Sequence, residues 1–143
     1  MLSLSAPAHA DADADFFQQT LTLINQQRAK AGARPVTLDD RLMNIAGEWA
    51  VKKAQVRDLE HRKNIGELRG KLRYSFLNEN IYYYSARPTA DRVVTAWMNS
   101  PAHRRGLLHA DLDQIGLGRA RGDDGYYVVF NGADSHPPAN SGP

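Results

Sequence analysis

Two histidines and one carboxylate stand out among the side chains that could do chemistry: His61 in Leu59-Glu60-His61-Arg62, His103 in Ser100-Pro101-Ala102-His103, and Glu79 in Asn78-Glu79-Asn80-Ile81. If Ser100 caps a helix that restarts at Pro101, His103 takes its third position. There the positive end of the helix dipole disfavours an imidazolium. The neutral imidazole is the form that ligates metal or accepts a proton. Glu79 enters a run of aromatic strand formers, Ile81-Tyr82-Tyr83-Tyr84, a place where a carboxylate needs a partner. Two imidazoles and a carboxylate from three separate segments can hold a divalent ion or form an acid–base pair, provided the fold brings them together. The plainer alternative for each histidine is a surface or core-edge position.

The other titratable candidates carry less. His109 reads as a loop residue, and His9 and His136 lie in segments expected to be disordered. No serine or threonine pairs with a recognisable base, because Ser100, three residues before His103, reads as a helix cap. Cysteine is absent, which excludes disulfides, thiol nucleophiles and cysteine-based metal sites. There is no phosphate-binding Gly-rich loop, no G-x-S-x-G and no H-E-x-x-H, so several enzyme classes drop out.

Composition bounds the scaffold that must position these groups. At 143 residues, with 42% apolar side chains, the chain is one domain with enough core to fold unaided. No apolar run approaches the ~20 residues that span a bilayer, so no transmembrane segment is expected. Residues 51–73 hold eight basic against three acidic side chains. Such a stretch could meet a polyanion, but a solvated helix end and loop explain it as well, and nucleic acid is not the expected partner. Ala8-His9-Ala10 has the small-x-small form of a signal-peptidase site. Residues 1–14 are therefore set apart as a signal-peptide remnant and acidic disordered N-terminus, 15–132 as the domain, and 133–143 as a disordered tail. The expected destination is secreted or periplasmic.

Periodicity predicts a helix over 16–31, stopped at Gly32, and a second over 38–56, opened by Thr37-Leu38-Asp39-Asp40. Residues 57–75 read as a long connection or one enclosing a short helix, and long connections are often functional. A strand at 81–84 precedes a helix capped by Thr89, which breaks and restarts at Ser100-Pro101. Strands over 113–120 and 126–131 then flank a five-residue turn, Arg121 to Gly125. Helices early and antiparallel strands late give an α+β class. Trp49 and Trp97 read as core.

In order, these pieces resemble the CAP superfamily of cysteine-rich secretory, antigen 5 and pathogenesis-related 1 proteins, and most of all its bacterial SCP-like extracellular members. The matching stretches are Leu23 to Arg28 with Gly32, the Leu42 to Ala50 helix, His61, Glu79-Asn80-Ile81, Val93 to Arg104, Ile115-Gly116-Leu117-Gly118 and Tyr126 to Val129. The resemblance implies a three-layer α-β-α sandwich with a mainly antiparallel sheet and a large open cleft. His61, Glu79 and His103 would line that cleft with Asn80, Tyr82 and Ser100. His61 and His103 are the residues for a divalent metal, Zn²⁺ or Mg²⁺, although no cofactor is required. Many members carry a second acid where this chain has Ser100. Glu60 and Glu67 are the nearby acids that could replace it, and Asn78 stands where the family has Gly. The resemblance also implies a secreted protein that binds a lipid-like small molecule or a protein partner; with the second acid replaced and no activated nucleophile, a monomeric binding module is expected more than an enzyme. The alternative is a metal-dependent, peptidase-like hydrolase using the same cleft.

Overall fold

A computed structural model describes residues 8–138. Its first helix, α1 (Ala8–Lys30), buries Phe16, Thr20, Ile24 and Arg28, one residue per turn. It begins well before the predicted start at 16 and takes in residues set apart as disordered. Acidic side chains are favoured near a helix N-terminus, and Asp13 pairs with Arg119 at 2.6 Å, so this segment belongs to the domain. The signal-peptide reading of residues 1–7 lies outside the described residues.

Strand β1 (Thr37–Leu38) is followed by α2 (Asp40–Val56). Asp39, and not Thr37, caps α2, its carboxylate accepting from the Leu42 amide at 3.0 Å. The 57–75 connection does enclose a helix, α3 (Ile65–Leu72). Strand β2 (Phe76–Tyr84) starts five residues before the predicted strand, so Asn78, Glu79 and Asn80 are strand residues. Thr89 caps α4 (Ala90–Met98), as predicted, and α5 (Pro101–Leu108) follows. Strands β3 (Gln114–Gly122) and β4 (Gly125–Asp134) close the fold. Gly122 pairs with Gly125, so the turn is two residues, Asp123-Asp124, and not five. The ordered chain also outlasts its predicted end at 132: Ala133 is fully buried, and Ser135 bonds to both oxygens of Asp113.

The sheet order is β1-β3-β4-β2, antiparallel except for the short β1–β3 pairing, with β2 at an edge. One face carries α2, and the other carries α1, α4 and α5, giving the three-layer α-β-α sandwich. The helix layer over the second face packs Ile24, Val93, Trp97 and Leu107 onto Leu117, Val128 and Phe130. Burying each aliphatic side chain there contributes about 2 kcal/mol. On the first face α2 sits directly on the β3 backbone. A Cβ on Gly116 would stand 2.1 Å from the Leu42 carbonyl oxygen, and one on Gly118 2.4 Å from that of Ala46. The Ile-Gly-Leu-Gly stretch is glycine-bearing because a helix occupies the space. No helix among the described residues is long and apolar enough to cross a membrane.

Candidate functional site

The site is built on the edge strand β2, whose alternation sends consecutive residues to opposite faces. Glu79 opposes Asn131 in register, on the α2 face, while Asn78 and Asn80 point toward α5. Asn80 donates to the His103 carbonyl at 3.0 Å, and Asn78 donates to that of Gly106 at 3.0 Å. These two amides fix α5, and with it His103, against the strand.

On the other side, α2 ends where Arg57 adopts a left-handed conformation (φ 58°), and the chain turns back toward β2. The Arg62 amide donates to Glu79 Oε1 at 3.0 Å, and His61 Nδ1–H donates to the same oxygen at 3.1 Å. Asn131 Nδ2 donates to Oε2 at 3.2 Å, and Arg62 Nε forms an ion pair with that oxygen at 3.6 Å. The Arg62 guanidinium also donates to the Ile45 carbonyl and lies over the Trp49 ring. The Glu79 side chain is 2% exposed, whereas that of His61 is 56% exposed. A buried carboxylate therefore anchors a loop and orients an exposed imidazole.

Ser100 departs from its predicted role. Its backbone holds the N-cap position of α5, but its hydroxyl caps nothing and lies 2.9 Å from His103 Nδ1. Both histidines thus have Nδ1 engaged, and no described residue bonds to either Nε2. Burial pushes the His103 pKa below the usual imidazole value, and the nearby His61 lowers it further. The neutral imidazole expected of His103 is thus the favoured form, with burial as the main cause.

The structure brings His61, Glu79, Asn80, Ser100 and His103 together around the β2 edge. Tyr82 stands next on the α5 side, in a groove with Arg92 and Thr95. Glu67 is spent on an exposed ion pair with Lys71, and Glu60 is exposed, so neither buried acid position is theirs. Asn131, which completes the carboxylate's shell, was not anticipated, since only strand register reveals it. Among the described residues, one group of three ligating side chains has its donor atoms within 4.8 Å of one another: Asp113, Asp134 and His136. This group is separate from the His61, Glu79 and His103 cluster, and the sequence hides it because residues from 133 on read as a tail. His109, read as a loop residue, caps the end of α5 and stacks on Phe76 at 3.9 Å.

The model of the cysteine-rich secretory protein family, CAP, matches residues 21–131. An uncharacterized protein of Borreliella burgdorferi is 31% identical over 113 residues, covering 75% of this chain and 72% of that one. YkwD, an uncharacterized protein of Bacillus subtilis, is 28% identical over 123 residues, covering 80% of this chain, which spans only 45% of YkwD's length. In structure, an outer surface protein from Borrelia burgdorferi superposes with a TM-score of 0.74 at 24% identity, over 87% of this chain and 94% of that one.

Proposed function

The chain belongs to the cysteine-rich secretory protein (CAP) family, and on that footing we propose that it is a non-enzymatic binding module, secreted or surface-exposed. The cleft at the β2 edge takes a lipid-like small molecule or a protein partner. One observation carries this reading: both Glu79 oxygens are already engaged, by His61, Arg62 and Asn131. An acid that is 2% exposed and holds three hydrogen bonds faces the fold, whereas a general base or a metal ligand has to reach a substrate or an ion. Placing the exposed His61 beside the partly buried His103 leaves a rigid polar edge suited to a protein surface. The surface location draws support from the Borrelia burgdorferi structure.

The test compares wild type and His61→Ala/His103→Ala on peptide and ester substrates, with organic extraction of the purified proteins in parallel. The expected outcome is equal, background turnover, with any copurified lipid retained in both. Turnover that the double variant loses would overturn the binding reading.

A second reading has one specific observation in its favour: His61 and His103 both present Nε2, the arrangement in which two imidazoles can bind a metal with their Nδ1 atoms held. Imidazole suits Zn²⁺ better than Mg²⁺. The fit is partial, because the chain supplies two nitrogen donors where a catalytic zinc site has three protein ligands. A bound ion would supply an activated water there. Glu79 would orient His61, and Ser100 would orient His103.

A further inference from the structure

Three arginines converge on a cavity remote from the cleft. Arg119 and Arg121 are two residues apart on β3, so both face the α1 and α4 layer. Tyr126 opposes Arg121 in register on β4. Arg87 reaches in from the connection between β2 and α4, and Asp13 from α1. These residues line about 400 Å³. Tyr126 lies five residues from Asn131 along β4 and on the opposite face, about 17 Å from the Glu79 position at ~3.4 Å per residue.

The charges do not balance. Arg119, with a side chain only 5% exposed, donates through Nε and Nη2 to Asp13 Oδ1 and lies over the Phe16 ring. That pair neutralises one guanidinium. Arg87 stands over the Tyr126 ring, 5.7 Å from its centroid, and neither Arg87 nor Arg121 forms an ion pair with a carboxylate of residues 13–138. The phenol registers this field: the neighbouring Arg87 holds Tyr126 below its ordinary pKa, with Arg121 and Arg119 adding to the effect.

We propose that this cavity binds a doubly charged oxyanion of the phosphate-monoester class, gripped by Arg87 and Arg121 beside the Tyr126 hydroxyl. The fixed Arg119–Asp13 pair forms its floor. Two uncompensated guanidiniums match a dianion, and their planar forks match phosphate oxygens bidentately. The cavity exceeds a single phosphate, leaving room for the group esterified to it. Free esters and lipid headgroups share this chemistry, and the experiment separates them.

The experiment titrates wild type by calorimetry with inorganic phosphate and with glycerol 3-phosphate, and sediments it with phosphatidic acid vesicles against phosphatidylcholine vesicles. Arg87→Gln/Arg121→Gln removes the two free charges at exposed positions. Lys52→Gln/Lys63→Gln removes two charges elsewhere. The expected result is binding of the soluble ester, or of phosphatidic acid vesicles alone if the source is a headgroup, weakened at least about tenfold by the arginine variant and unchanged by the lysine variant. Absence of binding in every arm, or equal weakening in both variants, would overturn the site.

Discussion

Glu79 and His61 are joined by a 3.1 Å hydrogen bond across the boundary between interior and solvent. The carboxylate is 2% exposed and the imidazole 56%. A buried acid placed this way costs desolvation unless it is hydrogen-bonded, and here the Arg62 amide and Asn131 also donate to it, with the Arg62 guanidinium 3.6 Å away. This anchored anion holds the returning chain at 61–62 against the edge of the sheet.

That arrangement sets the cost of losing the charge. Glu79→Gln replaces one acceptor oxygen with an NH₂ group facing donors from Arg62 or from Asn131. We expect a loss of about 3 kcal/mol, the size found when one partner of a buried ion pair is removed, with faster hydrogen exchange at the Arg62 amide. Urea denaturation and native-state exchange check both. Unchanged stability and an unchanged Arg62 amide would contradict the anchoring role.

The His103 imidazole titrates below the ordinary 6.5, chiefly because it is partly buried. Between the folded pKa and 6.5 the unfolded chain binds more protons than the folded one, so stability rises with pH across that window. The contribution is complete above pH 6.5 and is lost as the pH falls toward the folded value. NMR titration of wild type should show His103 below 6.5, and His103→Gln should flatten the acid limb of the stability curve. A His103 pKa at or above 6.5 contradicts the burial argument.

Gly118→Ala drives a methyl into the Ala46 carbonyl, where a Cβ would stand 2.4 Å away. Backbone cannot step aside cheaply, so the helix must lift off the sheet. At least about 2 kcal/mol of stability should be lost, read as a lower urea midpoint. Gly70→Ala, in α3 with nothing within 4 Å of its Cβ, should be neutral or slightly stabilising.

Much of this was legible from residue types. The capping residue Thr89, the restart at Pro101 and the stop at Gly32 follow from local backbone chemistry, and the structure has them at those positions. His61, Glu79 and His103 were visible as unusual residues in their settings, and the fold assembles them. What stayed hidden depends on register. Asn131 reaches Glu79 only because the two face each other across β2 and β4, and nothing in the local sequence fixes that pairing. The reason for glycine at 116 and 118 is a helix seventy residues earlier. Ala8-His9-Ala10 has the form of a cleavage site and the acidic residues after it that of a disordered N-terminus, yet alanines are good helix formers and the segment continues α1. The position of Ser100 predicts a side-chain cap, but its hydroxyl lies against the imidazole one turn on.

Arg28 offers a separate check on how α5 is held. Fully buried, it donates to the carbonyls of Arg34, Leu107 and His109 at 2.8, 2.8 and 2.9 Å. It thereby satisfies the open C-terminal end of the helix that carries His103. Arg28→Met should cost about 3 kcal/mol by stranding these acceptors. Arg28→Lys should recover little, since one ammonium cannot span all three. Full stability in Arg28→Lys would show that charge alone suffices.

The central claim is that Glu79 is committed to the fold and leaves the cleft as a binding surface without a complete metal centre. Calorimetric titration with Zn²⁺ tests it most directly, using wild type and His61→Ala/His103→Ala. The account predicts no one-equivalent binding of micromolar or tighter affinity that depends on His61 and His103, so that the two proteins titrate alike, because these histidines lack a third protein ligand. One equivalent bound tightly by wild type and lost in the double variant would contradict it and establish a metal centre at the β2 edge.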